Sequence, residues 1–182
     1  MKKIIFAIVT IIFTVSIAQA KILNSQQFDM AFENYLNNPN KIALKEITQY
    51  LSEGDILTNK NAKAPIQGFY MGVLHKNPLD FKQIENMQLS NDTQKILNFA
   101  KSFSPDMEGI LDNKIKYYPE SPAFLDMLWG YYFATADNRV LRKMCYIQNN
   151  DPDYIIRSAA QWSYNSNMKT FPNKIKSCDN YK

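Results

Sequence analysis

The stretch that most constrains the fold spans residues 121–147. It opens on Ser121, whose side chain can cap a helix, and Pro122 at the first helical position, where a missing N–H leaves nothing unpaired. Leu125, Leu128, Trp129, Tyr132 and Phe133 follow at helical spacing and make one broad apolar face. Thr-Ala-Asp-Asn at 135–138 interrupts the pattern, and Val140, Leu141, Met144, Cys145 and Ile147 begin another. The unit reads as two helices joined by a tight polar turn. It recurs more weakly along the chain, while strand-type alternation is nearly absent.

The first twenty residues read as a targeting segment. Lys2 and Lys3 form a charged start, residues 4–17 are almost unbroken apolar sequence, and Ala18-Gln-Ala20 fits a small-x-small cleavage pattern. The apolar run is short of the roughly 20 residues that a bilayer span needs. A two-lysine leader of this kind predicts a bacterial protein delivered to the periplasm or secreted, with residues 21–182 as one helical domain. No cysteine follows the cleavage site to carry a lipid, and no later stretch is apolar enough to insert in a membrane. Without the two leader lysines the formal charge of +4 falls by two units, and the remaining Lys and Arg are scattered. Nucleic acid is therefore excluded as an expected partner.

Cys145 and Cys178 are the two cysteines. In an oxidising compartment an even pair reads first as a disulfide. The alternative is two separate thiols, with Cys145 buried as a small apolar residue. No Cys-x-x-Cys spacing supports redox chemistry.

Helix signals continue along the chain. Asn24 or Ser25 precedes Phe28, Ala31, Phe32, Tyr35 and Leu36, and Ile42, Leu44, Ile47, Tyr50 and Leu51 form a second face stopped by Gly54. Residues 55–63 read as a polar loop. A third helix is expected from Pro65 with Ile66, Phe69, Tyr70, Val73 and Leu74, ending at Asn77-Pro78, and a short one over 79–87. Ile96, Leu97, Phe99, Ala100 and Phe103 form the next. Ser104-Pro105-Asp106 reads as a fresh helix start with Met107, Ile110, Leu111 and Ile115, and Asp151-Pro152 as another, with Tyr154, Ile155, Ala159 and Trp162 facing inward. Phe171-Pro172 is expected to open a tail helix ending near Cys178. The fold class is all-α.

The helices also repeat in pairs. Phe32, Phe69 and Trp129 each start a copy, with Leu36, Val73 or Phe133 four residues on and Leu44, Phe81 or Leu141 twelve on. Phe99, Phe103 and Leu111 mark a fourth copy, so the starts are separated by 37, 30 and 30 residues. This predicts helix–turn–helix hairpins stacked as a short α-solenoid, with an irregular helical bundle as the alternative. These units resemble tetratricopeptide-type repeats, whose Trp-x-x-Leu-Gly-x-x-Tyr opening is echoed by Trp129-Gly130 and Tyr132. The run at 128–137 is also similar to exported bacterial helical proteins. The solenoid resemblance implies protein or peptide binding on a concave face.

Catalytic signals are weak. His75 is the single histidine and falls at a helix end, where a surface or capping role is expected. Asp106, Glu108, Glu120 and Asp126 all fall where helix-start acids belong, so a carboxylate-driven glycan hydrolase is the alternative rather than the main reading. Gly68-x-x-x-Gly72 reads as a close helix contact. No phosphate loop, nucleophile elbow or metal-ligand spacing is present, so no catalytic residue, metal or cofactor is expected. The 11 Tyr, 11 Phe and 2 Trp are mostly core, and Tyr117, Tyr118, Tyr131 and Tyr164 fit a binding groove better. With Trp129, and with Arg139 and Arg142 facing an acidic partner, they are the expected protein-binding residues. The function expected is a non-enzymatic binding module: an adaptor, assembly or immunity-type factor. A structural subunit of an envelope complex is a further alternative.

Overall fold

The computed structural model describes residues 24–112 and 121–181. The expected leader, Tyr117, Tyr118 and Glu120 lie outside them. The described residues form eight α-helices and no strand: α1 Ser25–Tyr35, α2 Lys41–Glu53, α3 Lys60–Lys76, α4 Pro78–Glu85, α5 Asn91–Leu111, α6 Pro122–Thr135, α7 Asn138–Asn150 and α8 Tyr154–Thr170. Short 3₁₀ turns add Ile56–Thr58 and Cys178–Tyr181. The all-α class is the observed one.

Local chemistry explains most boundaries. Side chains of Asn24, Asn40, Asn59, Ser90, Ser121, Asp137 and Asp153 each accept a backbone N–H of the helix that follows, which satisfies donors left free at a helix start. Gly54 ends α2. Ala136 takes the left-handed conformation (φ 56°) that lets α7 leave α6 within two residues.

At the centre, α3 and α6 lie side by side. Gly68 faces Met127, Gly72 faces Tyr131 and Ala134, and the Lys76 ammonium bonds the Thr135 carbonyl at 2.6 Å, so the two helices run in the same direction. Glycine permits the approach. A Cβ on Gly68 would fall 1.9 Å from the Met127 carbonyl oxygen, and one on Gly130 would fall 1.8 Å from that of Pro65. Eleven of the fourteen residues of α6 are buried, as a helix enclosed on nearly all sides requires. Around this pair one continuous core includes Phe69, Tyr70, Phe81, Leu97, Phe124, Leu128 and Met144.

Four expectations are corrected. Pro105 does not start a helix: α5 runs straight through it, because Ile96, Ala100, Ser104, Met107 and Leu111 form one unbroken buried stripe across the proline. The unit starting at Phe99 is therefore a single helix and not a hairpin. The loop at 55–63 carries a 3₁₀ turn that buries Leu57, and α3 starts at Lys60, capped by Asn59, with Pro65 inside it. The tail after Phe171 is no helix but a strap: Ile175 is buried, and Tyr132 and Tyr164 hydroxyls donate to the Lys174 and Lys176 carbonyls. Finally, α8 is turned about its axis relative to expectation, as described below.

Candidate functional site

Residues expected to line a groove are distributed differently. Trp129 is buried, its ring against Tyr132, Phe133 and Tyr164, and its indole N–H donates to Ser163 Oγ at 3.2 Å. Tyr131 is fully enclosed and its hydroxyl donates to Glu108. Burial and the adjacent Glu108 carboxylate push its phenol far above the ordinary value. Tyr164 is equally buried, with its hydroxyl holding the C-terminal strap at 2.7 Å. These three are packing residues with polar tips satisfied internally, so none presents a ring to a partner. Tyr117 and Tyr118 lie outside the described residues.

Arg139 ties α7 to the C-terminal end of α5 and to the α6–α7 turn. Its guanidinium bonds Asp137 at 2.6 and 2.8 Å, Asp112 at 2.5 Å and Glu108 at 3.0 Å, while Glu108 also takes the Tyr131 hydroxyl and lies 3.4 Å from His75 Nδ1. Glu108 sits near the C-terminal end of α5, where the helix dipole disfavours a carboxylate, and Arg139 offsets that. Asp106 and Glu108 are thus not helix-start acids. Arg139 is occupied by its own chain, whereas Arg142, three residues on, is exposed. Asp126 is half-buried on α6, and burial raises its carboxyl. Among the described residues no group of three or more His, Cys, Asp or Glu could hold a metal ion.

The cluster makes a pH-dependent contribution. Burial pushes the Asp137 carboxyl up, but hydrogen bonds from the Arg139 guanidinium and backbone N–H, with its charge, pull it further down, below the ordinary 3.8. A depressed carboxylate stabilises the fold above its unfolded-state value, and that stabilisation is lost as pH falls through the lower folded-state value. Arg139→Met is expected to destabilise the protein at pH 7 by about 1–3 kcal/mol, since three half-exposed carboxylates lose their counter-charge. The deficit should shrink as the pH is lowered towards 3, because the Asp137 contribution is lost as pH falls through its depressed value. Urea melts at both pH values check this, and an equal deficit at the two would assign the effect to packing instead.

The surface that is free lies on α8. Ile156, Ala160 and Tyr164 face inward, so Tyr154, Ile155 and Trp162, expected in the core, are 72%, 68% and 75% exposed. Both stripes have four-residue helical spacing, and contact with α7 selects the first. Tyr154, Ile155, Ser158, Trp162, Asn165 and Ser166 make an outward stripe with no Asp, Glu, Lys or Arg. Arg157 sits to one side, its guanidinium bonded to the Asp151 and Pro152 carbonyls and 5.8 Å from the Tyr154 ring centroid. Behind α8, the Cys145–Cys178 disulfide joins α7 to the tail, with Cα atoms 5.5 Å apart. The helix is therefore braced on its inner side and open on its outer one.

Sequence reasoning missed this face because two apolar stripes competed on one helix. The usable signal was that Tyr154, Ser158, Trp162 and Ser166, at four-residue spacing, form a stripe that carries no charged residue. No helix of the described residues is long and apolar enough to cross a membrane. Comparison with family models, with curated proteins and with solved structures finds no match for this chain.

Proposed function

We propose that this protein is an exported, non-enzymatic binding module whose protein partner docks on the outward face of α8. The observation that carries the reading is the exposed pair Ile155 and Trp162, two turns apart on a braced helix and flanked by Tyr154. Large aromatic and aliphatic side chains are the composition of an interface centre, where Trp and Tyr contribute most of the energy. Export is supported by the leader-like pattern of residues 1–20 and by the disulfide, which persists in oxidising compartments. The stripe itself carries no ionised side chain and Arg157 beside it is bonded to backbone carbonyls, so the partner is a folded protein with an apolar patch and not an acidic one.

The test is capture from the native envelope with the wild type, with Ile155→Ser/Trp162→Ser and with Arg142→Ser. One protein retained near-stoichiometrically by wild type and Arg142→Ser, still bound in about 0.5 M salt and lost with the double variant at unchanged helicity, is the expected result. Adding the purified partner should shift Trp162 emission to the blue. A partnerless monomer, or retention indifferent to the double variant, would overturn the proposal.

A further inference from the structure

Between α1, the 3₁₀ turn after α2, the first half of α3 and the end of α6 lies an open cleft of about 290 Å³. That is at the lower end of small-ligand sites, roughly 300–1,000 Å³. Phe28, Phe32 and Phe133 line it together with Ile66, and the Phe32 ring meets those of Phe28 and Phe133 at 5.8 and 6.1 Å. Its chargeable lining groups are two carboxylates, Asp29 and Glu33, one turn apart on α1 and both reaching solvent. No cation among the described residues forms an ion pair with either.

Two like charges at this spacing repel each other. Burial among apolar groups raises both carboxyls above their ordinary values, and Asp29 raises that of Glu33 further. A carboxyl raised on folding weakens the native state while ionised, so stability increases as pH falls through the raised value. An unopposed carboxylate pair on an aromatic cleft thus works against the fold at neutral pH, as ligand sites commonly do. A neutral ligand would leave that repulsion in place, and an inorganic cation would leave the phenylalanines without a role. Phenylalanine faces also attract cations, most strongly when the cation is poorly hydrated.

We propose that this cleft binds an organic cation: an ammonium group bearing an alkyl or aryl chain, with the chain among Phe28, Phe32 and Phe133 and the ammonium at the Asp29–Glu33 rim. The site is separate from the α8 face and does not depend on its assignment.

Hexyltrimethylammonium titrated into ¹⁵N-labelled protein, with 1-hexanol and hexyl sulfate as neutral and anionic controls, tests the site. Saturable shifts are expected in α1, the first half of α3 and Phe133, with hexanol binding at least about ten-fold more weakly and hexyl sulfate not at all. Asp29→Asn/Glu33→Gln should weaken binding of the cation by about ten-fold or more while melting at the same or a higher temperature, a combination that a purely structural carboxylate pair would not give. Equal affinity for cation and alcohol would overturn the proposal, as would shifts that never saturate by about 20 mM. So would shifts scattered over other surface carboxylates, or wild-type affinity in the double variant.

Discussion

Gly130→Ala is expected to destabilise this protein by about 4 kcal/mol, more than any surface substitution. The added Cβ would lie 1.8 Å from the Pro65 carbonyl oxygen, 2.7 Å from its carbon and 2.8 Å from the Phe69 nitrogen. All three are backbone atoms of α3, so no side-chain rotation relieves the overlap. The helices must move apart, and the contacts of Phe69, Leu128 and Tyr131 on either side loosen together. Alanine's better helix propensity returns only about 1 kcal/mol. With about 2–4 °C lost per kcal/mol for a domain of this size, the melting temperature should fall by about 8–16 °C. Gly54→Ala is the control, because at that exposed helix end its Cβ would meet one residue of its own helix, Tyr50, at the carbonyl oxygen (2.9 Å) and ring carbons (3.8 Å), and no second helix. If Gly130→Ala melted with the wild type, the close α3–α6 contact would be wrong.

Cys145→Ser/Cys178→Ser is expected to lower stability by about 3–4 kcal/mol, the chain-entropy value for a closed loop of about 34 residues. The loop contains all of α8 and the strap. Without the bond, the tail is held by Ile175, by the Phe171 ring 5.5 Å from that of Phe133, by the Tyr132 and Tyr164 hydroxyls and by packing of the last 3₁₀ turn on α7. The loss should be concentrated at this end, with amide exchange rising in residues 171–181 and α8 before α3. Thermal melts with and without a reducing agent measure the total. A reductant that left the wild-type melt unchanged would mean that the two thiols are not joined.

Much of this architecture is legible locally, because its causes are local. Ser121 with Pro122, Asn24 and Gly54 mark boundaries by satisfying or ending hydrogen bonds within a few residues. Gly68 and Gly72 announce a close crossing. The cysteine pair needed only parity and compartment. The misreadings share a different cause: the deciding partner is distant in sequence. Tyr131 is a core residue because Glu108 is present to accept its hydroxyl, and Tyr164 because the Lys176 carbonyl does the same. Pro105 interrupts nothing because one face of its helix is buried on both sides of the proline, while Pro105 itself is exposed. On α8 the periodicity alone allowed two answers, and only the position of α7 chose between them.

The parallel α3–α6 pair has a consequence for how the chain is made. Phe69 and Trp129 stand 60 residues apart, so synthesis at roughly 5–20 residues per second leaves α3 waiting about 3–12 s for its partner. In that interval α1 and α2, already made, cover only part of it. Phe69 meets the Phe32 and Tyr35 rings at 4.5 and 5.0 Å and the Tyr70 hydroxyl bonds that of Thr48 at 2.8 Å, while the Gly68–Gly72 face stays open. α4 and α5, which emerge next and pack on α3 in the finished fold, cover further sides of it. Vectorial emergence thus leaves the glycine face of α3 as the last part of the core to close, when α6 arrives.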